Sequence, residues 1–559
     1  MKKLLLLFIS SAVLLSSVLA GTQANSSVSS LSGSGTVGDP YLISSVADLQ
    51  FFRDEVNEQN ATYNALTVYV QLSSDLDLGA STTATAWKPI GSLTTTKFKG
   101  VFNGNNKTIS NLTIGTVSSK ANQNPSSGLF GSLEDGAVIK NLTLSALSFY
   151  LERSSSGNLF IGGLAGHISA GNLIENCHVS GTINLIHNTT GLVTNEMEVG
   201  ALVGRIQNGT GTGTATNIIN CSTNVNISAI NSGTSTGDIY IGGVAGYLFQ
   251  QGGTMPQIIN CYAKGTIYGE GLLAQKVYIG GIMGMNSPHL YNCYASGDLE
   301  GKSVTGNISV CGIAAYRNTA NINTVAALMN NITTTTTSGT ATTRRIVNGL
   351  GTSLVNLELY ANTNLRMNGS ITSTGSAFYG SDKSSGANLA GNASILLNVA
   401  VGPSVSGVTP KTWVTINASS NDAAKGSVSG ATTAFANQSV TLSASATGGN
   451  NFTRWTESAV EVSTDASYTL SSATDKTLVA VFDVATALVN PMDSKSYFTK
   501  VGKTIVFDSK VGAVNVFNTT GVLVALSKTH IDALELKTSG IYMVKMVTPE
   551  GIKTVKVVL

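Results

Sequence analysis

Apolar residues in the first two thirds of this chain come in short runs that stop at Gly, Asn, Ser or Thr, without a helical period. Runs of that length and period predict β-strands. One tetrapeptide punctuates them. Gly128-Leu129-Phe130-Gly131 returns as Gly163-Leu164-Ala165-Gly166, Ala201-Leu202-Val203-Gly204, Gly243-Val244-Ala245-Gly246 and Gly281-Ile282-Met283-Gly284, then degenerates at Gly312-Ile313-Ala314-Ala315. Successive starts are 35, 38, 42, 38 and 31 residues apart. Self-similarity at such a period marks a stacked array, in which no single repeat can bury its own apolar face.

A second ladder runs in phase with the first. Asn176-Cys177, Asn220-Cys221, Asn260-Cys261 and Asn292-Cys293 each closely follow an apolar or aromatic residue (Ile174, Ile219, Ile259, Tyr291). A third apolar run, such as Val179–Leu185 or Ala263–Ile267, completes each unit. Three β-prone runs per repeat predict an all-β protein whose residues 35–395 form a right-handed parallel β-helix. A propeller would need four strands per blade. Gly is expected at the corners because it tolerates φ > 0, with Asn able to follow it there. Leu164 and its equivalents belong to the interior of the stack.

Composition narrows the class. Charged residues make up 11% of the 559, where about 25% is usual. Ser, Thr and Asn must therefore supply the polar surface. A formal charge of +2 offers no basic footprint for nucleic acid. Lys2 and Lys3 precede the mostly apolar run Leu4–Leu15, and Val18-Leu19-Ala20 offers small residues before Gly21. This reads as a secretory signal, residues 1–20, cleaved between Ala20 and Gly21. Four of the five cysteines share one repeat position, so adjacent rungs would bring Cys177, Cys221, Cys261 and Cys293 within disulfide range. Buried thiols acting as small hydrophobes are the simpler expectation. No metal or cofactor site is expected: there is no Cys-x-x-Cys, and His178 has no His at the equivalent Ser222, Tyr262 or Tyr294.

The segment Trp87-Lys88-Pro89-Ile90-Gly91, then Phe98–Leu112 with Gly100, Asn103, Gly104 and Asn105, opens the array. Together with the Gly-Leu-x-Gly repeats it resembles the GLUG-motif repeat proteins of bacterial surfaces. A closing pattern lies at Val325–Asn330, Arg345-Ile346-Val347 and Tyr360-Ala361-Asn362. The resemblance implies an adhesin-like protein. The same motif accompanies some immunoglobulin-cleaving metallopeptidases, which need His-Glu-x-x-His. The five histidines here (His167, His178, His187, His289, His530) never stand four apart.

Residues 411–483 resemble the divergent internalin-type B repeat, through Val414–Ala418, Val440-Thr441-Leu442, Phe452-Thr453-Arg454-Trp455 and Leu478–Phe482. Phe452 and Trp455 are expected as the core of a small β domain. Residues 487–559 resemble the type A C-terminal sorting domain of type IX secretion, through Val514–Gly521, Gly540-Ile541-Tyr542-Met543-Val544-Lys545 and Val555–Leu559. That implies a β-sandwich read by the type IX machinery, removal of the tail near residue 486, and the cell surface of a gram-negative bacterium.

The enzyme rival is a β-helix that degrades polysaccharides, which would need clustered carboxylates. Glu196/Glu198 and Asp298/Glu300 are the i, i+2 pairs between residues 158 and 330, and neither recurs one rung later. Both are better read as solvated strand faces. Asp75-Leu76-Asp77 is expected as an edge strand with its polar face out, and Thr333–Thr337 as a polar loop. The sequence thus points to a non-catalytic, secreted or surface-anchored, adhesin-like protein that binds a host or partner-cell glycan or protein. A passive stalk is the third class. Unequal loops would carry specificity, the longest inserts being Leu185–Glu196, Asn208–Ala215 and Asn231–Asp238. Tyr262 and Tyr294, at the same repeat position, are the candidate contact stripe, with simple shielding of the stack as the favoured alternative.

Overall fold

The structure is a computed structural model describing residues 28–79, 87–92, 95–121, 125–189, 194–209, 214–285, 288–316, 320–348, 359–362, 364–371, 381–383, 413–484 and 497–559. The signal segment with Ala20 and Gly21, and the tail junction near residue 486, lie outside the described residues. Almost all regular structure described is β. Two compact units form: one holds residues 1–417, 431–440 and 469–477, the other residues 418–430, 441–468 and 478–559.

Among the described strands of residues 41–383 the pairing is parallel except for Arg366–Met367 with Ser370–Ile371, and successive strands of a sheet lie one repeat apart. One sheet runs through Leu159–Gly162, Met197–Gly200, Ile239–Gly242, Val277–Gly280 and Ile308–Cys311. A second runs through Phe130–Leu133, Ala165–Ile168, Val203–Asn208, Ala245–Gln250 and Met283–Met285. The third carries the longer strands, among them Val138–Arg153, Leu173–His187 and Ser222–Asn231. The pairing of Phe130 with Ala165, then Val203, Ala245 and Met283 reproduces the repeat spacing of the Gly-Leu-x-Gly motif.

Corners are made differently from the expectation. The glycines of the repeat motif (Gly128, Gly131, Gly163, Gly166, Gly204, Gly243, Gly246, Gly281, Gly284) all lack a positive φ. They stand where chains approach: a Cβ on Gly243 would collide with the carbonyl oxygen of Gly281 one rung on. Asparagine takes the left-handed corner instead, with φ of 54° at Asn141, 52° at Asn176, 56° at Asn220, 54° at Asn260 and 58° at Asn292. Stacking makes the corner self-bonding. Asn176 Nδ2 donates to Asn141 Oδ1 at 2.8 Å, Asn260 Nδ2 to Asn220 Oδ1 at 2.7 Å, and Asn292 Nδ2 to Asn260 Oδ1 at 3.0 Å.

The neighbouring cysteines form an interior file. Cys177, Cys221, Cys261 and Cys293 are fully buried free thiols, and so is Cys311. Burial pushes Cys293 and Cys311 up to about 12. Leu164, Leu202, Val244 and Ile282, at the apex of each Gly-Leu-x-Gly turn, are also fully buried. Leu164→Asp is expected to abolish cooperative folding, because the carboxylate would sit unpaired inside the stack. Thermal melting followed by far-UV circular dichroism checks this, and parental stability would contradict the interior assignment.

One helix, Val46–Asn57, was not anticipated. Ser45 caps it, with Asp48 Oδ2 accepting from the backbone N–H groups of Ser44 and Ser45 at 2.9 and 3.0 Å. Leu49, Phe52 and Val56 form its buried stripe, and the Phe52 ring lies 5.8 Å from Phe98 and 6.0 Å from Phe102. The helix therefore covers apolar surface near the start of the array.

Two smaller expectations meet their residues here. Leu76–Asp77 is a short strand paired with Ile109–Ser110, Leu76 inward and Asp77 outward. Asp77 Oδ1 accepts from Asn111 Nδ2 at 2.7 Å, the first cause of its lowered pKa. The threonine run is a strand rather than a loop: Asn331–Thr336 pairs in register with Leu299–Ser303.

The second unit is antiparallel. Asn450–Glu457 pairs with Val460–Ser463 and with Lys476–Val484, and Trp455 is fully buried. Phe452 is only partly buried, its ring 5.9 Å from that of Trp455. Residues 497–559 form a three-stranded and a four-stranded sheet, and Ile505, Val516, Val544 and Val557 belong to their common core.

Candidate functional site

The Gly-Leu-x-Gly turn sets the geometry that matters most. It joins a strand of the first sheet to one of the second so tightly that their outward side chains face one another. Residues three before and four after each motif start therefore meet across the turn. Phe160 meets His167, with ring centroids 5.8 Å apart. One rung on, Glu198 meets Arg205, and on the next Tyr240 meets Tyr247 at 4.8 Å.

Down the first sheet, strand register stacks Phe160, Glu198, Tyr240, Tyr278 and Ser309. Down the second it stacks Ser132, His167, Arg205, Tyr247 and Met285. The two files form a wedge on the outside of the strands. Phe160, His167, Glu198 and Tyr240 are buried in it, at 4%, 2%, 0% and 5% exposure.

Arg205 is the centre of the wedge. Its Nε donates to Glu198 Oε2 at 2.6 Å, and its Nη2 to Glu198 Oε1 and, at 3.3 Å, to Glu196 Oε2. The guanidinium carbon lies 4.3 Å from the Phe160 ring centroid, 5.4 Å from Tyr247 and 5.2 Å from Phe249. Burial pushes the Glu198 carboxyl up to about 8, against the opposing pull of Arg205. Burial also depresses His167 to about 4. Its ring nitrogens are bonded on both sides, Nδ1 to Ser132 Oγ at 3.0 Å and Nε2 to Gln207 Oε1 at 2.9 Å. The amide oxygen can only accept, so the proton sits on Nε2 and Nδ1 accepts from the serine.

This corrects the reading of the acidic pairs. Glu198 does not lie on a solvated face, because the strand after the turn folds Arg205 and the aromatic rings over it. Asp298 and Glu300 are the more open pair, both half-buried: Glu300 binds Lys302 at 2.9 Å, and Asp298 accepts from the backbone N–H groups of Asn330 and Asn331. Chemically, Glu198 has both oxygens engaged by one guanidinium fork, an arrangement that holds a wedge closed rather than moves protons.

Tyr262 and Tyr294 stack as their shared repeat position requires, ring centroids 5.0 Å apart and 9° from parallel. They offer no open stripe, being 5% and 3% exposed in a cluster with Ala326, Leu328 and Phe435 of the same unit. Of the long inserts, Asn231–Asp238 is described throughout, whereas the other two include residues outside the description. Among the described residues, no group of three or more His, Cys, Asp or Glu is placed to hold a metal ion. No described helix is long and apolar enough to cross a membrane, which says nothing of crossing by strands.

No family model matches the chain. Over 158 residues it is 34% identical to Halomucin of Haloquadratum walsbyi, a match covering 27% of this chain and 2% of that protein. The chain thus spans a small fraction of that relative's length. A crystal structure of a proposed immunoglobulin A1 protease from Bacteroides ovatus is similar over 65% of this chain and 88% of that one, at 20% identity and a TM-score of 0.37.

Proposed function

We propose that this chain is a non-catalytic, adhesin-like surface protein whose first unit is a right-handed parallel β-helix presenting a binding surface. The observation that carries the reading is the parallel, one-repeat register of three sheets over residues 126–344, which repeats outward side chains rung after rung. Such a surface suits an extended ligand, a host or partner-cell glycan or protein. The clustered carboxylates that a polysaccharide-degrading enzyme would use are tied to Arg205 at Glu196 and Glu198. The similarity to a protein named Halomucin supports an extracellular place. Export would use the signal at residues 1–20, and residues 487–559 would be read by the type IX machinery of a gram-negative bacterium.

The test is adhesion by cells expressing a chain that lacks residues 35–395. Loss of attachment to host or partner cells, with the remaining protein still displayed, is expected; parental attachment would refute the reading. Removing residues 487–559 instead should leave the protein inside the envelope, and unchanged display would refute the sorting assignment alone.

A further inference from the structure

The ladder of rings in the wedge ends abruptly. Tyr240 and Tyr278 stack at 5.4 Å with their planes 23° apart, but the next rung places Ser309 in that file. Among the described residues of that file, only the small Ser309 side chain follows Tyr278 on the next rung. The Ser309 hydroxyl is turned inward, donating to the Ala315 carbonyl at 2.7 Å and accepting from Asn348 Nδ2 at 3.1 Å. Across the turn from Ser309, at the place of Arg205 and Tyr247, stands Tyr316, which is 36% exposed. Tyr278 itself is half-buried, unlike the enclosed Tyr240 below it.

A polar file runs beside the rings, two residues earlier in each strand. It comprises Glu196, Asp238, Lys276 and Asn307, none of them buried. Strand register fixes their order: the Met197 N–H bonds the Asp238 carbonyl, Ile239 the Lys276 carbonyl, and Val277 the Asn307 carbonyl. Asp238 and Lys276 are paired at 3.6 Å. Tyr278 and Tyr316 thus stand either side of the small Ser309, close enough for Tyr316 to act on the Tyr278 hydroxyl, beside a file that mixes carboxylate, ammonium and amide. The two rim charges nearest Tyr278, Asp238 and Lys276, cancel each other.

We propose that the notch between Tyr278 and Tyr316, over Ser309, is a binding site for one residue of a neutral glycan. A sugar ring presents flat C–H faces and a periphery of hydroxyls that both donate and accept. The faces match the ring of Tyr278, and the hydroxyls match the mixed rim at Asp238, Lys276 and Asn307. Charge balance favours an uncharged polymer over an anionic one. The assignment rests on the surface-binding reading above and names the ligand class for it.

The test uses the full secreted chain in affinity electrophoresis through gels containing a soluble glucan, mannan or galactan, with a polyuronate gel as the anionic comparison. Retardation by at least one neutral polymer is expected. Tyr278→Ala and Tyr316→Ala should each weaken it tenfold or more, while Tyr278→Phe keeps most of it. Tyr268→Ala, on the third sheet, should leave it unchanged, and circular dichroism confirms that the variants fold. Equal retardation of Tyr278→Ala and the parent overturns the site, as does preference for the polyuronate. If no neutral polymer retards the parent while cells displaying it still attach, the site fails and the adhesin reading stands. If attachment is also absent, both fail.

Discussion

Replacing Arg205 by Met is expected to cost about 1–2 kcal/mol more folding stability at pH 9 than at pH 5. The asymmetry comes from Glu198, which is fully enclosed and has its carboxyl raised to about 8 by burial. A folded pKa above the unfolded one means that its contribution to stability is complete below about 4.5. That contribution is lost as the pH rises through 8. At pH 9 the parent must hold a carboxylate in the wedge, and Arg205 is the group that holds it. Without the guanidinium the enclosed carboxyl stays in the wedge at pH 9 only by taking up a proton, at about 1.4 kcal/mol per pH unit above 8. At pH 5 it is already protonated, so there the variant loses mainly the contacts of the Arg205 stem and its place over Phe160, Tyr247 and Phe249. Chemical unfolding of Arg205→Met and of Arg205→Met/Glu198→Gln at both pH values checks this. The double variant should show little difference between them. A single variant equally destabilised at pH 5 and pH 9 would show that charge burial is not the cause.

The wedge also marks the limit of what the sequence made legible. The motif spacing and the Asn-Cys ladder located the repeat, its strands and its interior file, because those features depend on one-dimensional periodicity alone. Alternation along a strand says which side chains point outward. It does not say whether outward means exposed. At Glu198 the distinction decides everything, since the Gly-Leu-x-Gly turn folds the next strand back onto the outward side. A signal was present: the pairs Phe160/His167, Glu198/Arg205 and Tyr240/Tyr247 all stand seven residues apart across the motif. Tyr262 and Tyr294 follow the shielding alternative: outward in their strands, they are covered by Phe435, a contact that joins residues far apart in sequence.

Of the two residues expected at the corners, asparagine is found there and the motif glycines are not. Both tolerate positive φ, but only glycine lets backbones approach closely, and close approach is what the turn needs. Asn is left for the corner, where its side chain also bonds its counterpart one rung away. The helix Val46–Asn57 had its capping box at Ser45 and Asp48 and its stripe at Leu49, Phe52 and Val56 in plain view. It was hidden by reading a single period over the whole of residues 35–395.

The second large effect is on the acid side, and its sign is opposite. His167 is 2% exposed and burial holds it at about 4, below the ordinary 6.5. Lys97 and Arg205 push it further down, while the hydrogen bond to Gln207 and the charge of Glu134 oppose them. A depressed folded pKa gives stability that is complete above 6.5 and is lost as the pH falls through 4. The difference corresponds to about 3 kcal/mol. Protonation would put a second donor on Nδ1, displacing the hydrogen bond from Ser132 in a wedge that already contains the Arg205 charge. His167→Gln keeps one donor and one acceptor but cannot titrate. It should lower stability modestly at pH 7.5 and flatten the decline between pH 6.5 and 4. Asp48 and Asp77, with their lowered values, lose their contributions at lower pH, but between 6.5 and about 5 Glu198 gains stability as the pH falls and the buried His187 loses it, so the difference between His167→Gln and the parent, rather than the parent's own slope, reports on His167. Unfolding midpoints in urea across that window separate the two. A His167→Gln variant that declines as steeply as the parent would place the acid sensitivity outside the wedge.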